Sequence, residues 1–148
     1  MADESAISTI DTVIFDIGNV LYRWDLRCLF EKLIDDPQEL DWFLNHVVTP
    51  DAEHILAYSR RFSETIPGPV EGTLEIVQAL ANRNVPLFAI SNFGAESWAQ
   101  FRPAAPIFDI FADIVISGEE KMIKPDPAIF HLALDRFDRQ PGQCLFID

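Results

Sequence analysis

Basic side chains are scarce in this sequence. Eleven lysines and arginines stand against 24 aspartates and glutamates, a formal net charge of −13 over 148 residues. That balance argues against a nucleic-acid partner, whose phosphates are neutralised by Lys and Arg. It argues equally against an anionic membrane surface. Cysteine is scarcer still. Cys28 and Cys144 have no metal-ligand spacing and are too few for a disulfide framework. One bridge between them stays open, but thiols in a reducing cytosol are the simpler reading. The three histidines, His46, His54 and His131, are scattered without ligand spacing. No apolar run reaches 18 residues, so a membrane-spanning helix is not expected. The start, Met1 to Ser8, carries Asp3 and Glu4 and lacks the apolar centre of a signal peptide. The chain also lacks internal repeats and low-complexity tracts. These absences leave a soluble, cytoplasmic chain of one domain, with room for a small insert. Its oligomeric state is not legible.

Apolar residues, by contrast, are plentiful. They make up 49% of the sequence and include 12 phenylalanines, enough for a packed core. Short apolar runs at Thr12–Phe15, Leu87–Ile90, Ile114–Ile116 and Cys144–Ile147 suit strands buried on both faces. Between them, helical spacing appears at Val70–Asn82, Ala95–Phe101 and Pro127–Phe137. Alternating strands and helices imply βα units and a parallel sheet. The segment 24–66 has helical patterns only: Leu26–Ile34 with Asp25 as its N-cap, Pro37–Val48, and Ala52–Phe62. Ile66-Pro67-Gly68-Pro69 reads as the linker that follows.

Chemistry collects at the ends of the apolar runs. Thr12–Phe15 delivers Asp16, followed by Ile17-Gly18-Asn19. Leu87–Ile90 delivers Ser91 and Asn92. Lys124 stands in Ile123-Lys124-Pro125-Asp126, just before a helical pattern, and Cys144–Ile147 delivers Asp148. In open α/β sheets ligands bind outside the carboxyl ends of the strands. Carboxylate, hydroxyl, ammonium and carboxylate are the parts of a metal-assisted phosphoryl-transfer site. Each has a plainer reading too. Asp16 suits a turn cap, Ser91 and Asn92 suit a helix N-cap, and Lys124 suits the surface.

Taken in order, Asp16, Ser91, Lys124 and Asp148, spaced 75, 33 and 24 residues apart, resemble the four motifs of the haloacid dehalogenase superfamily of hydrolases. The resemblance covers roughly Thr12 to Asp148. It implies a Rossmann-like, three-layer α/β core with a parallel sheet, assigned to residues 11–23 and 67–148. It also implies a small helical cap insert at 24–66, shorter than such caps usually are. The family normally continues past the position of Asp148 with a second acid, a helix and a strand. The sequence is therefore read as missing a C-terminal part, and cap residues near Pro50-Asp51-Ala52.

The same resemblance implies roles. Asp16 is the nucleophile, forming an aspartyl-phosphate. Ser91 and Asn92 hydrogen-bond the transferring phosphoryl group. Lys124 neutralises the charge on nucleophile and phosphoryl. Asp16, the Gly18 carbonyl and Asp148 hold Mg²⁺. Gly18 departs from the family's phosphatases, which usually carry a second Asp there as general acid and base. That help is worth ~10²–10⁴-fold, so its absence favours a good leaving group. A subgroup with the Asp-x-Gly-Asn pattern includes sugar phosphatases. The function this implies is a Mg²⁺-dependent phosphomonoester hydrolase acting on a small phosphorylated metabolite, such as a sugar phosphate. One alternative is a 2-haloacid dehalogenase, in which Asp16 attacks carbon and Arg23 pairs with the substrate carboxylate. Another is a non-catalytic scaffold. Arg23, Trp24 and Asp25 suit substrate contact or hinge packing. Lys121 is expected at the surface, and Glu119-Glu120 in a solvated turn.

Overall fold

The structure, a computed structural model, describes residues 9–46 and 52–148. The expectations for residues 1–8, for Val47 and Val48, and for the Pro50-Asp51 junction lie outside them. In chain order the elements are β1 (Thr12–Phe15), β2 (Tyr22–Arg23), α1 (Arg27–Phe30), α2 (Pro37–His46) and α3 (Ala52–Arg60). They continue with β3 (Gly68–Pro69), α4 (Thr73–Asn82), β4 (Leu87–Ser91), α5 (Ala95–Phe101), β5 (Asp113–Ile116) and α6 (Ser117–Glu120). The last two are α7 (Pro127–Phe137) and β6 (Cys144–Ile147).

Four strands form one sheet in the order β5-β4-β1-β6, every pairing parallel. Alternation along the strands sends side chains to both faces. Val13, Phe15 and Ala89 pack on one side with Val77 of α4 and with Trp98 and Phe101 of α5. Ile14, Phe88, Ile90 and Val115 pack on the other with Ile129, Ala133 and Phe137 of α7. Two apolar faces explain why these runs are continuously hydrophobic. They also make the three layers the sequence implies. Successive strands β1, β4 and β5 build outward to one side, and β6 then adds on the other side of β1. The order reverses at β1, and the residue after β1 lies at that switch point.

The helical insert departs most from the sequence reading. The expected helix Leu26–Ile34 is one turn of α-helix, Arg27–Phe30. Asp25 does serve its start, its Oδ1 accepting from the Arg27 N–H at 2.9 Å. Beyond Phe30 the chain tightens into i→i+3 bonds, from Lys32 N to Leu29 O and from Leu33 N to Phe30 O. Leu33 turns outward and is exposed. Asp36 already caps α2, its Oδ1 accepting from the N–H groups of Gln38 and Glu39. Helix α3 ends at Arg60, and Phe62–Thr65 follows as a 3-10 turn.

The expected linker is instead ordered pairing. Gly68 and Pro69 of β3 pair antiparallel with Arg23 and Tyr22 of β2. The two crossings into and out of the insert are thus joined. Helix α4 begins at Thr73, three residues later than the apolar pattern, where the Thr73 hydroxyl donates to the Val70 carbonyl at 2.6 Å. Both cysteines are free thiols, and among the described residues no helix is long and apolar enough to cross a membrane.

Candidate active site

Parallel register aligns the ends of three strands. Phe15 of β1 pairs with Ala89 of β4 and with Ile147 of β6. Asp16, Ser91 and Asp148 therefore stand side by side on one sheet edge. The Asp16 N–H donates to the Ile147 carbonyl at 2.8 Å, which ties the acid's backbone to β6. Its carboxylate Oδ1 accepts from the Ile17 N–H at 2.6 Å. The chain then closes a tight loop. Leu21 and Tyr22 donate to the Ile17 carbonyl, and Asn19 donates to Tyr22 O at 2.7 Å. Asn19 sits at φ 58°, a left-handed conformation that asparagine tolerates better than most residues. Its Oδ1 accepts from the Trp24 N–H at 2.9 Å and so anchors the entry to the insert.

Lys124 is not a surface lysine. Its side chain is only 8% exposed, and its ammonium lies 3.1 Å from Asp16 Oδ2 and 3.4 Å from Asp148 Oδ2. It also lies over the Phe146 ring, 5.2 Å from the centroid. One cation therefore sits between two carboxylates that would otherwise repel each other. Asn92 explains how it is placed. The Asn92 Nδ2 donates to the Lys124 carbonyl at 3.0 Å, and its Oδ1 accepts from the Lys124 N–H at 2.8 Å. This two-point clasp ties the segment before α7 to the end of β4. Asp126 then caps α7 by accepting from the Ala128 N–H. Ser91 is buried at the mouth of the same cleft.

The cleft holds about 610 Å³. Its floor is Asp16, Ser91, Asn92, Lys124 and Asp148 from the sheet edge. The insert supplies a different wall, Trp24, Tyr58, Phe62 and Ile66. Sequence reasoning singled out Arg23 and Trp24, and both line the cleft. It missed Tyr58, Phe62, Phe93 and Ser97. Tyr58 and Phe62 are four residues apart, like any helical core pair, and nothing local separates a cleft-lining pair from a core pair. Burial raises the Tyr58 phenol above its usual pKa, and the neighbouring Trp24 indole partly offsets the rise.

Gly18 also lines the cleft. Its φ is not positive, and a Cβ there would meet nothing within 4 Å. Neither conformation nor crowding requires a glycine at this point. The other acids flagged from sequence lie elsewhere. Glu120 pairs with Arg136, which also holds Asp113 at 2.6 Å, and Lys121 is exposed.

Among the described residues no cluster of three or more His, Cys, Asp or Glu side chains is gathered as a metal cage. The Asp16 and Asp148 carboxylates and the Gly18 carbonyl are a smaller set of hard oxygen donors. That set suits Mg²⁺, which binds through one or two carboxylates and keeps waters and phosphate oxygens for its other positions.

Comparison with known proteins gives the family and the fold. A family model described as haloacid dehalogenase-like hydrolase matches residues 25–148. The match begins after Asp16, so the position of that acid rests on the geometry above. A sesquiterpene phosphatase from Aspergillus oryzae is 23% identical over 95% of this chain and 81% of its own length. A haloacid dehalogenase family enzyme from Bacteroides thetaiotaomicron, solved with magnesium and inorganic phosphate, superposes with a TM-score of 0.68 at 21% identity. That superposition covers 94% of this chain and 84% of the other. A dehalogenase solved with an intermediate complex superposes with a TM-score of 0.67 at 13% identity, over 95% of this chain and 76% of the other. At such identities these likenesses speak for the fold, which both chemistries share.

Proposed function

The chain belongs to the haloacid dehalogenase-like hydrolases, and from that premise we propose that it is a Mg²⁺-dependent phosphomonoesterase with Asp16 as its nucleophile. The observation that carries this reading is the ammonium of Lys124 between Asp16 and Asp148. A carboxylate facing a dianionic phosphate needs positive charge beside it, most of all in a chain of net charge −13. The relative from Aspergillus oryzae, named a phosphatase, supports the same choice.

An Asp16 carboxylate oxygen attacks phosphorus. The bond from phosphorus to the alcohol oxygen breaks, and its electron pair stays on that oxygen. The leaving oxygen takes a proton from solvent, through the open space beside Gly18. Water then attacks the phosphorus of the aspartyl-phosphate, loses its proton to solvent, and releases phosphate and the Asp16 carboxylate. Lys124 holds the nucleophile and balances charge that builds on the phosphoryl oxygens. The Ser91 hydroxyl donates to one of those oxygens. The Asn92 side chain is engaged by the Lys124 backbone, so its part is chiefly to position that lysine. Asp16, the Gly18 carbonyl and Asp148 would hold Mg²⁺, which when bound would supply further positive charge beside the phosphoryl group.

Hydrolysis of p-nitrophenyl phosphate with and without chelator tests this reading. Activity is expected to vanish in EDTA and return with Mg²⁺. No turnover of p-nitrophenyl phosphate with Mg²⁺, together with halide release from 2-chloropropionate in chelator, would instead establish the dehalogenase reading. The missing acid at Gly18 adds a second signature. Rates should fall steeply as the leaving group becomes less acidic, so aryl phosphates and sugar 1-phosphates should outrun sugar 6-phosphates. Supplying a carboxyl as Gly18→Asp, for which there is space, should narrow that gap.

A further inference from the structure

Building on the phosphomonoesterase reading, we propose that the alcohol released is an elongated apolar one, whose tail passes Trp24 and Tyr58 into a second chamber inside the helical insert. The chamber holds about 280 Å³. Leu26, Phe30, Phe43, Leu44 and Ile55 line it, together with His54, Trp24 and Tyr58. Trp24 and Tyr58 also line the catalytic cleft, so the two spaces share a wall. In a chain where 24% of residues are charged, no Asp, Glu, Lys or Arg among the described residues lines the chamber. The His54 ring is packed against Phe30 and Phe43, its centroid 5.9 and 4.9 Å from theirs.

The cleft is thus polar where phosphate would lie and apolar where the alcohol would leave. Trp24, Tyr58, Phe62 and Ile66 face the alcohol's side. A sugar held there would give up water for surfaces with few hydrogen-bonding groups, which is unfavourable. A methylene chain moved to the same surfaces is stabilised by leaving water. The polar floor serves any phosphate ester. The insert's lining selects the alcohol, and its character is that of a hydrocarbon.

A series of primary alkyl phosphates tests the assignment, because chain length changes burial while the alkoxide leaving group stays nearly constant. Ethyl, butyl, hexyl and decyl phosphate are compared by kcat/KM with Mg²⁺, below micellar concentrations, with glucose 1-phosphate alongside. The expected result is a rise of about fourfold per added carbon until the chamber is filled. It should be carried by KM, with kcat nearly constant. Hexyl phosphate should then exceed glucose 1-phosphate despite its poorer leaving group. Leu44→Trp, which plugs the chamber, should flatten the series. Ile55→Trp is an independent plug should the first variant fail to fold. A flat series in the wild-type enzyme, active on p-nitrophenyl phosphate, would overturn the apolar tail and leave the phosphomonoesterase standing. A chain-length rise that survives in a folded plugged variant would overturn the chamber as its seat. No turnover of any phosphate ester would instead overturn the phosphomonoesterase reading, and the tail with it.

Discussion

Strand β4 is buried at all five of its positions, whereas helix α3 has no buried residue among those described. The contrast extends to their surroundings. The sheet is sealed on both faces by aromatic and aliphatic clusters, and Phe88 stacks on Phe137 with ring centroids 4.2 Å apart. The insert has one small cluster, Leu29, Phe30, Ile34 and Leu40, and exposes Trp42, Ile55 and Leu56. Surface ion pairs tie its pieces together: Arg27 to Asp41 at 2.5 Å, and Lys32 and Arg61 to Glu64 at 2.7 and 2.5 Å. Densely packed strands hold reacting groups in place, since a packed side chain has few alternative positions. A thinly packed region with apolar walls is suited to accepting an alcohol of variable shape. On the proposed reading, chemistry and selectivity fall on differently built parts.

The largest expected effect lies at the sheet edge. Asp16→Asn keeps the shape but removes the proposed nucleophile, and should lower kcat on p-nitrophenyl phosphate by ~10⁴-fold or more, the scale of losing an enzymic nucleophile. Far-UV circular dichroism should not change. Retention of a few per cent of activity would move the nucleophile elsewhere and remove the basis for assigning chemistry to this edge. Lys124→Met comes next. It leaves Asp16 and Asp148 without their shared ammonium and should reduce kcat by about 10²–10³-fold, as loss of a transition-state charge partner does. A loss confined to KM would recast Lys124 as a substrate-binding group.

Packing can be compared directly by denaturant unfolding. Phe88→Ala should cost about 3–5 kcal/mol, whereas Leu40→Ala should fall near ~2 kcal/mol, the low end for a buried leucine in a small cluster. Equal losses would show the insert to be as tightly built as the sheet.

The smallest effect concerns acid. Arg61 first, then Lys32, hold the Glu64 carboxyl down to about 2 from an ordinary 4.5. A depressed carboxylate contributes stability above its unfolded pKa and loses it as pH falls through the folded one. Hydrogen exchange in residues 52–66 should therefore quicken between about pH 4.5 and 2, while Leu87–Ser91 stays protected. Glu64→Gln should remove that pH dependence, and should lower Tm at neutral pH by no more than roughly 3 °C, because the pair is only partly buried and solvent still screens it. Unchanged exchange across that range would mean the ion pairs do not hold the insert.

Much of the sheet was legible because burial on both faces leaves a local mark. The runs at Thr12–Phe15 and Cys144–Ile147 are strands with the bounds their sequence suggests, and Pro127–Phe137 is a helix from its proline to its last aromatic. The acids and the hydroxyl at the ends of such runs were legible for the same reason, and the lysine by its place just before a helical pattern. Leu26–Ile34 misled because apolar spacing reports which face is buried, and it cannot report that the chain tightens into i→i+3 bonds after Phe30. The β2–β3 pairing was missed because two residues carry no periodicity.

By itself, then, the sequence determined the sheet's strands, the order of its reactive residues and the absence of an acid at Gly18. Only the tertiary structure decided that Lys124 is buried between Asp16 and Asp148, that Asn92 clasps it, and that Trp24 and Tyr58 line both the cleft and an apolar chamber. The reason is physical. Hydrophobic periodicity is a property of neighbours along the chain, set by the pitch of a helix or the pleat of a strand. Which distant side chains meet is set by strand register and by the packing of one element on another, and neither leaves a periodic trace in the residues that meet.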